Sequence, residues 1–401
     1  MNWLFTDMNA YFASVEQHDR TDLQGRPIGV IPVESEGTCV IAASYDAKRF
    51  GVKVGTRVSD ARQMCRGIIL VRARPQRYVE VHHAILRSIE RCAPVHKVYS
   101  IDEWSIRLIG REQEPEQAAA LARMIKRQLL KDFSPYLTCS IGIAPTRLLA
   151  KIASDFEKPD GLTILPISAL PDQLESWSLK DLAGIGGGIC ARLNQHGIHT
   201  IRDLWAISKQ QAMQIWGSIT GADWWAGFHG IDEPEIQTRR HSMSHANVLA
   251  LAFRNDRSAY GILVRLICRL GARLRHDGYY AQGLSVHVKD VRGGYFADSS
   301  LLPFVHDTPT LLSQFHKLWQ RRGTGHFAPL KVGADVTGLV PVNQVEDSLF
   351  DEIEKPRRIS HAIDTINRRW GKSAIYFGPM HDFRHHMDDK IAFGRIPSLP
   401  E

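Results

Sequence analysis

Residues 95–108 read VHKVYSIDEWSIRL, with two adjacent carboxylates, Asp102 and Glu103, between runs of alternating apolar and polar residues. The alternation and the β-branched and aromatic residues predict two short strands that meet at the acidic pair. A third carboxylate, Asp7, ends the apolar run at residues 3–6. Carboxylates at strand ends predict a divalent-metal site, because Mg²⁺ prefers oxygen ligands. A polar turn is the alternative explanation of Asp102 and Glu103 taken alone.

The composition indicates a cytoplasmic globular protein with several domains. The chain has 401 residues, of which 44% are hydrophobic and 23% charged, values that are ordinary for a globular protein. We find no apolar run of about 18 residues that could span a bilayer, and the N-terminus lacks the basic region of a signal peptide. The six cysteines are widely separated, which predicts reduced thiols and no zinc site.

The positive charge is concentrated in one segment. Residues 239–340 carry 14 Lys and Arg against 6 Asp and Glu, a net charge of +8, whereas the other residues carry 36 against 37. A module with this excess is expected to bind a polyanion such as nucleic acid. The alternative is a solvated basic face.

The elements up to residue 165 follow the order strand, helix, strand, strand, helix, strand, with an insertion after the first strand. This order predicts a split βαβ, or ferredoxin-like, domain. The segment at 182–193, LAGIGGGICARL, then has the helix–hairpin–helix pattern. Its glycines Gly184, Gly186 and Gly188 would leave backbone N–H groups open to a phosphate. A tight turn is the alternative explanation of a Gly-rich helix start, but the full twelve-residue pattern favours the phosphate contact.

The basic segment has its own pattern of strands and helices. It predicts an open α+β domain with strands at 244–251, 281–289 and 330–339 and helices at 260–277 and 310–321. Its DNA-contact candidates are Arg240, Arg273 and Arg275.

Four motifs together resemble those of the Y-family translesion DNA polymerases, in particular the bacterial DinB/UmuC-like branch. They are DMNAYFASVE at 7–16, YDAKRFGV at 45–52, SIDE at 100–103, and LAKIAS followed by KPDG at 149–161. The resemblance implies a multidomain α+β right hand with a ferredoxin-like palm, small fingers, a helix–hairpin–helix thumb and an α+β little finger. The implied boundaries are palm 1–10 and 75–165, fingers 11–74, thumb 166–232, linker 233–241, little finger 242–340 and tail 341–401.

The resemblance also implies the catalytic residues and their two Mg²⁺ ions. Asp7, Asp102 and Glu103 match the carboxylates that hold both metals, and the Met8 carbonyl assists. Asp102 would bridge the two ions, whereas Glu103 would mainly serve the ion at the primer end.

The nucleotide-binding residues come from the same resemblance. Phe12 matches the steric gate against a ribose 2′-hydroxyl, and Tyr11 packs beside it. Tyr45, Lys48 and Lys158 match the triphosphate contacts. Arginine is more usual in the family at the position of Lys48, and lysine acts as a point charge where arginine binds phosphate in a bidentate way.

The function implied is DNA-directed DNA polymerisation, error-prone and across template damage, within the SOS response. The partners would be primer–template DNA, dNTPs and a sliding clamp, with no membrane. Leu349 and Phe350 resemble the anchor of a clamp-binding peptide, although the segment is equally consistent with an exposed linker. Two other functions stay open, namely an inactive accessory relative that binds DNA and a nucleotide cyclase with a similar palm.

Overall fold

A computed structural model of the chain describes residues 1–234, 239–323, 328–345, 351–371, 373–384 and 396. The chain forms two units, one comprising Met1–Glu235 and Lys390–Glu401 and the other Ile236–Asp389. Among the described residues, no helix combines the length and the apolar composition that crossing a bilayer requires.

The first unit contains eight strands and ten α-helices among its described residues. The strands are β1 (Trp3–Met8), β2 (Ile28–Ile31), β3 (Ala42–Ala43), β4 (Ile69–Arg72), β5 (Lys97–Ser100), β6 (Glu103–Arg107), β7 (Cys139–Ala144) and β8 (Leu162–Ile164). The helices are α1 (Tyr11–Asp19), α2 (Tyr45–Lys48), α3 (Val58–Met64), α4 (Pro75–Glu90), α5 (Pro115–Asp132), α6 (Arg147–Ser154), α7 (Gly187–Gln195), α8 (Ile201–Ala206), α9 (Lys209–Trp216) and α10 (Thr220–Phe228).

The main sheet has the strand order β5-β6-β1-β7-β8, with β1 antiparallel to both of its neighbours. The order β7-β1-β6-β5 is that of a ferredoxin-like sheet, and β8 adds a parallel strand beside β7. Side chains of β1 alternate between two buried faces, as the period of a strand requires. Leu4 and Met8 pack in the core shared with α4 and α5, whereas Trp3 and Phe5 pack in the core shared with α6 and α7–α10.

A close approach between β7 and α6 depends on one glycine. A Cβ atom added at Gly142 would lie 2.0 Å from the carbonyl oxygen of Ala150 and 2.4 Å from the amide nitrogen of Ser154. Helix α6 therefore lies directly on the backbone of β7, which brings the side chains of α6 to the level of β1.

A second, smaller sheet lies in the insertion after β1. Its strand order is β3-β2-β4, with β2 parallel to β4 and antiparallel to β3. Its core includes Ile31, Val40, Ala47 and Val58. The short helix α2 begins beside this sheet, where the hydroxyl of Ser44 caps it by accepting a hydrogen bond from the amide of Ala47.

The second unit contains a sheet with the order β11-β10-β12-β9, covered on one face by helices. Its elements are β9 (Ser242–Val248), α11 (Asp256–Asp277), β10 (Tyr279–Asp290), β11 (Tyr295–Val305), α12 (Thr308–Gln320), β12 (Pro329–Thr337), β13 (Val340–Pro341) and α13 (Asp351–Trp370). Strand β13 pairs with the start of β10. Helix α13 lies beyond the predicted little finger and packs on α12 of this unit.

Three strands are not predicted by the sequence pattern, namely β2, β11 and the two-residue β13. Strand β2 is only four residues long and wholly buried, so it shows no alternation. Strand β11 contains Ser299, Ser300 and Pro303 and keeps most of its side chains at least partly exposed. It is defined by its antiparallel pairing with β10, which a local pattern does not encode.

We expect Gly142→Ala to destabilise the first unit, because the new methyl group overlaps the backbone of α6. Overpacking of this kind costs about 1–3 kcal/mol or more, measurable as a lower free energy of unfolding in urea. The matched control is Gly67→Ala, where an added Cβ meets no atom within 4 Å. Equal stability of the two variants would contradict the close approach.

Candidate active site

Asp7 and Glu103 lie directly opposite each other on adjacent strands. They are antiparallel partners in the register of β1 and β6, so their side chains project from the same face of the sheet. Asp7 continues the face of Trp3 and Phe5, which looks toward α6. The strand period therefore places two of the three predicted carboxylates side by side beneath α6.

Two lysines pair with these carboxylates. The Lys151 ammonium on α6 donates to Asp7, lies 2.9 Å from Glu103 and 3.6 Å from Asp155. The Lys158 ammonium lies 2.8 Å from Asp7 and 2.7 Å from Asp155. Burial alone would raise the pKa of Asp7, but the two ammonium groups outweigh burial and lower it. Asp7 is thus an ionised carboxylate inside the protein.

Asp102 lies in the tight connection between β5 and β6, next to the end of β1. The backbone carbonyl of Asp102 accepts a hydrogen bond from the amide of Met8 at 2.9 Å, and its carboxylate accepts one from the Ser100 hydroxyl. Burial raises the pKa of Asp102 to about 6, the Ser100 hydrogen bond opposes this rise, and the charges of Asp7 and Glu103 add to it. Asp102 therefore sits in a negative environment that a cation would stabilise.

The donor chemistry of these residues fits a divalent metal. Among the described residues, no three carboxylate, imidazole or thiolate groups form a ready-made metal cluster. Asp7 and Glu103 instead share one cation, the ammonium of Lys151. Its positive charge lies between two of the predicted metal ligands. Oxygen ligands of this kind suit hard cations such as Mg²⁺.

The predicted triphosphate residues adjoin this cluster. Tyr45 and Lys48 lie on α2, with the Lys48 ammonium 4.1 Å from the centre of the Tyr45 ring. Burial raises the pKa of the Tyr45 phenol, and the positive charge of Lys158 opposes that rise. The Asn9 amide, 3.5 Å from the Tyr45 hydroxyl, links α2 to the end of β1. The structure therefore brings Tyr45, Lys48 and Lys158 into one neighbourhood.

Phe12 lies at the start of α1 and packs against α4. Its ring stacks on Tyr78 of α4 with centroids 4.4 Å apart and planes 16° apart. The Tyr78 hydroxyl donates to the buried carboxylate of Glu16 at 2.8 Å, and the Tyr11 hydroxyl donates to the Tyr78 carbonyl at 2.6 Å. Phe12 and Tyr11 are both largely buried, so neither ring has room to move aside.

The glycines of the helix–hairpin–helix pattern surround an open helix start. Gly186 is the N-terminal cap of α7, and Gly184, with φ of 87°, makes the turn that precedes it. Gly186 and Gly188 are exposed, and an added Cβ at either would meet no atom within 4 Å. The first amides of α7 are therefore accessible from solvent.

The three arginine candidates of the second unit have different environments. Arg240 and Arg273 lie 2.9 and 3.7 Å from one carboxylate, Asp277. Arg275 is 4% exposed and pairs with Asp364 of α13 through two nitrogen–oxygen contacts of 2.6 and 2.8 Å. It also donates to the carbonyl oxygen of His306. These contacts assign Arg275 a structural role in attaching α13, so we leave it out of the proposed DNA contacts.

The remaining candidates, Leu349 and Phe350, lie outside the described residues. Conversely, Lys151 and Asn9 contact the site although the sequence analysis gives them no role. Both lie inside the family motifs, Lys151 at 149–154 and Asn9 at 7–16. Their position inside these motifs is the sequence feature that could have identified them as site residues.

Comparison with known proteins gives the same family over most of the chain. The impB/mucB/samB family matches residues 6–155, and the C-terminal domain of that family matches residues 240–349. DNA polymerase IV of Moorella thermoacetica is 30% identical over 380 residues, which cover 93% of this chain and 94% of that protein.

Solved structures share the fold. A Y-family DNA polymerase chimera, Dbh-Dpo4(243-245)-Dbh, is 22% identical with a TM-score of 0.67 and covers 85% of this chain and 100% of its own. An insertion ternary complex of Dbh DNA polymerase has the same identity and coverage and a TM-score of 0.56. These likenesses confirm the predicted multidomain α+β fold.

We expect Asp364→Asn to destabilise the second unit, because it leaves the buried Arg275 guanidinium without its counter-charge. Removing one partner of a buried ion pair costs about 3 kcal/mol or more, measurable by urea denaturation. Affinity for duplex DNA and its dependence on salt should stay at the wild-type values.

The control is Asp382→Asn, which breaks the exposed pair of Arg257 and Asp382, 86% and 53% exposed. An exposed pair of this kind is worth less than about 1 kcal/mol. If Asp364→Asn instead alters DNA binding without loss of stability, the structural assignment of Arg275 is wrong.

Proposed function

Because this chain belongs to the Y family of translesion DNA polymerases, we propose that it extends primers across damaged template DNA by two-metal nucleotidyl transfer. Its DNA-directed DNA polymerase activity follows from that membership. The observation that supports the mechanism is the pairing of Asp7 with Glu103 across two strands, with Asp102 beside them.

We propose that Asp7, Asp102 and Glu103, with the Met8 carbonyl, hold two Mg²⁺ ions. When bound, such ions activate the attacking 3′-oxygen and stabilise the pyrophosphate leaving group. The rigid strand pairing of β1 and β6 fixes the carboxylates relative to each other, and this limits their reorganisation during the reaction. Lys151 helps to keep Asp7 ionised, and its contacts orient Asp7 and Glu103.

The proposed contacts of the triphosphate are Lys158, Lys48 and the Tyr45 hydroxyl. Lys158 would exchange its contact with Asp7 for a phosphate oxygen, and Lys48 would act as a point charge. Phe12 would form the wall against which the sugar is placed. Because Phe12 is stacked on Tyr78, the wall resists displacement by a ribose 2′-hydroxyl.

DNA would be bound through its backbone. The backbone amides at Gly184, Gly186 and Gly188 would donate hydrogen bonds to one phosphate. In the second unit, Arg240 and Arg273 would add positive charge. Contacts of this kind give affinity that depends on salt and tolerates any sequence. Clamp binding through Leu349 and Phe350 stays a prediction. No observation favours an inactive accessory protein or a cyclase.

We expect Asp102→Asn and Glu103→Gln each to reduce primer extension by at least about 10³-fold, because a metal ligand contributes several kcal/mol to transition-state stabilisation. The assay is extension of a primed template with Mg²⁺ and dNTPs, on undamaged and on lesion-containing templates. Glu116→Gln, an exposed carboxylate on α5, is the control that should extend normally. Near-wild-type extension by either site variant would remove that carboxylate from the mechanism.

We expect Phe12→Ala to incorporate ribonucleotides, because removal of the ring opens the space that the 2′-hydroxyl needs. The measurement is the ratio of single-nucleotide incorporation efficiencies for a dNTP and the matching rNTP. Incorporation of the dNTP by the same variant reports that the site is otherwise intact. An unchanged ratio would refute the gate.

A further inference from the structure

The turn at residues 157–161 carries Lys158 and is hydrogen-bonded to the main sheet of the first unit. The amide of Asp160 donates to the Asn9 side chain at 2.8 Å, and the amide of Gly161 donates to the Ser140 hydroxyl at 3.3 Å. These contacts bind the turn to the ends of β1 and β7.

Lys126 of α5 also binds the turn. Its ammonium donates to the carbonyl oxygens of Asp160 at 2.6 Å, Cys139 at 2.9 Å and Gly161 at 3.2 Å. It also lies 2.6 Å from the carboxylate of Asp160, and its side chain is 18% exposed. Hydrogen bonds from an ammonium group are stronger than those between neutral partners. Lys126 therefore joins the turn to α5 and to the start of β7.

The backbone of the turn is one that needs such support. Asp160 has φ of +59°, a left-handed conformation that residues other than glycine seldom adopt. An added Cβ at Gly161 would lie 1.8 Å from the Glu157 carbonyl oxygen, so the chain folds back tightly on itself. A strained backbone conformation of this kind persists only where contacts from the surrounding structure hold it.

We infer that Lys126 is a positioning residue for the nucleotide, acting through the turn that places Lys158. The inference rests on the proposed contact between Lys158 and the triphosphate. The hydrogen bonds and the ion pair of Lys126 go to the turn and to the start of β7, and they include neither Asp7 nor Asp155, the carboxylates that pair with Lys158. Its effect on the reaction is therefore transmitted through the position of Lys158.

The test is a double-mutant cycle with Lys126→Met and Lys158→Met. Single-turnover incorporation of one dNTP gives an apparent Kd for the nucleotide and a maximal rate. Each single variant should raise the Kd roughly tenfold, the value of one hydrogen bond to a charged group. The double variant should bind no more weakly than Lys158→Met alone, because Lys126 has nothing left to position.

Two further variants separate this role from general damage to the fold. Lys131→Met removes the same charge from an exposed position of α5 and should leave the Kd unchanged. Asp160→Asn keeps the three carbonyl contacts and tolerates the left-handed backbone, so its Kd should rise less than that of Lys126→Met. Asp160→Asn also replaces Lys126→Met in the cycle if the latter fails to fold.

The outcomes are distinct. A Kd unchanged in Lys126→Met, or raised by the same factor with and without Lys158, overturns the positioning role. A Kd unchanged in Lys158→Met refutes the triphosphate contact itself and the inference built on it. A higher Kd with non-additive behaviour supports the positioning role.

Discussion

The buried carboxylate of Asp7 is the constraint on which the site depends. A carboxylate enclosed at the end of a central strand is costly unless cations accompany it. The chain supplies two, Lys151 from α6 and Lys158 from the following turn. Both segments must therefore lie over β1, and Gly142 permits this because it lets α6 rest on the backbone of β7. The packing of α6 and the following turn over β1 therefore also supplies the positive charges that stabilise the Asp7 carboxylate.

In our proposal, the same cluster of charged side chains would hold both the metal ions and the nucleotide. Lys151 joins Asp7 to Glu103, whereas Lys158 joins Asp7 to Asp155. In our proposal, Asp7 and Glu103 would hold a metal ion with Lys151 beside them, and Lys158 would exchange its contact with Asp7 for a phosphate oxygen. The lysines that balance the buried carboxylates therefore also adjoin the proposed metal and phosphate sites.

The sequence pattern and the family motifs together predict those elements and site residues that a short stretch of sequence or a motif contains. The acidic hairpin, the strand before Asp7 and the helix–hairpin–helix segment are each visible in a short window. Contacts between distant segments were not anticipated. Nothing near Arg275 indicates that Asp364, in a helix beyond the predicted little finger, neutralises it. Likewise, Lys126 is one of several cations on an amphipathic helix, and its acceptors lie up to 35 residues away. Strand β11 is defined by its antiparallel pairing with β10, and its own sequence does not predict it.

The most direct test of the account is single-turnover nucleotide incorporation by Asp7→Asn. This substitution preserves the shape of the side chain and removes the charge that pairs with the two lysines and that, in our proposal, helps to hold the metal ions. We predict a fall in the maximal rate of at least about 10³-fold, with affinity for primer–template DNA close to wild type. A variant that incorporates nucleotides at nearly the wild-type rate would contradict the central role given to Asp7.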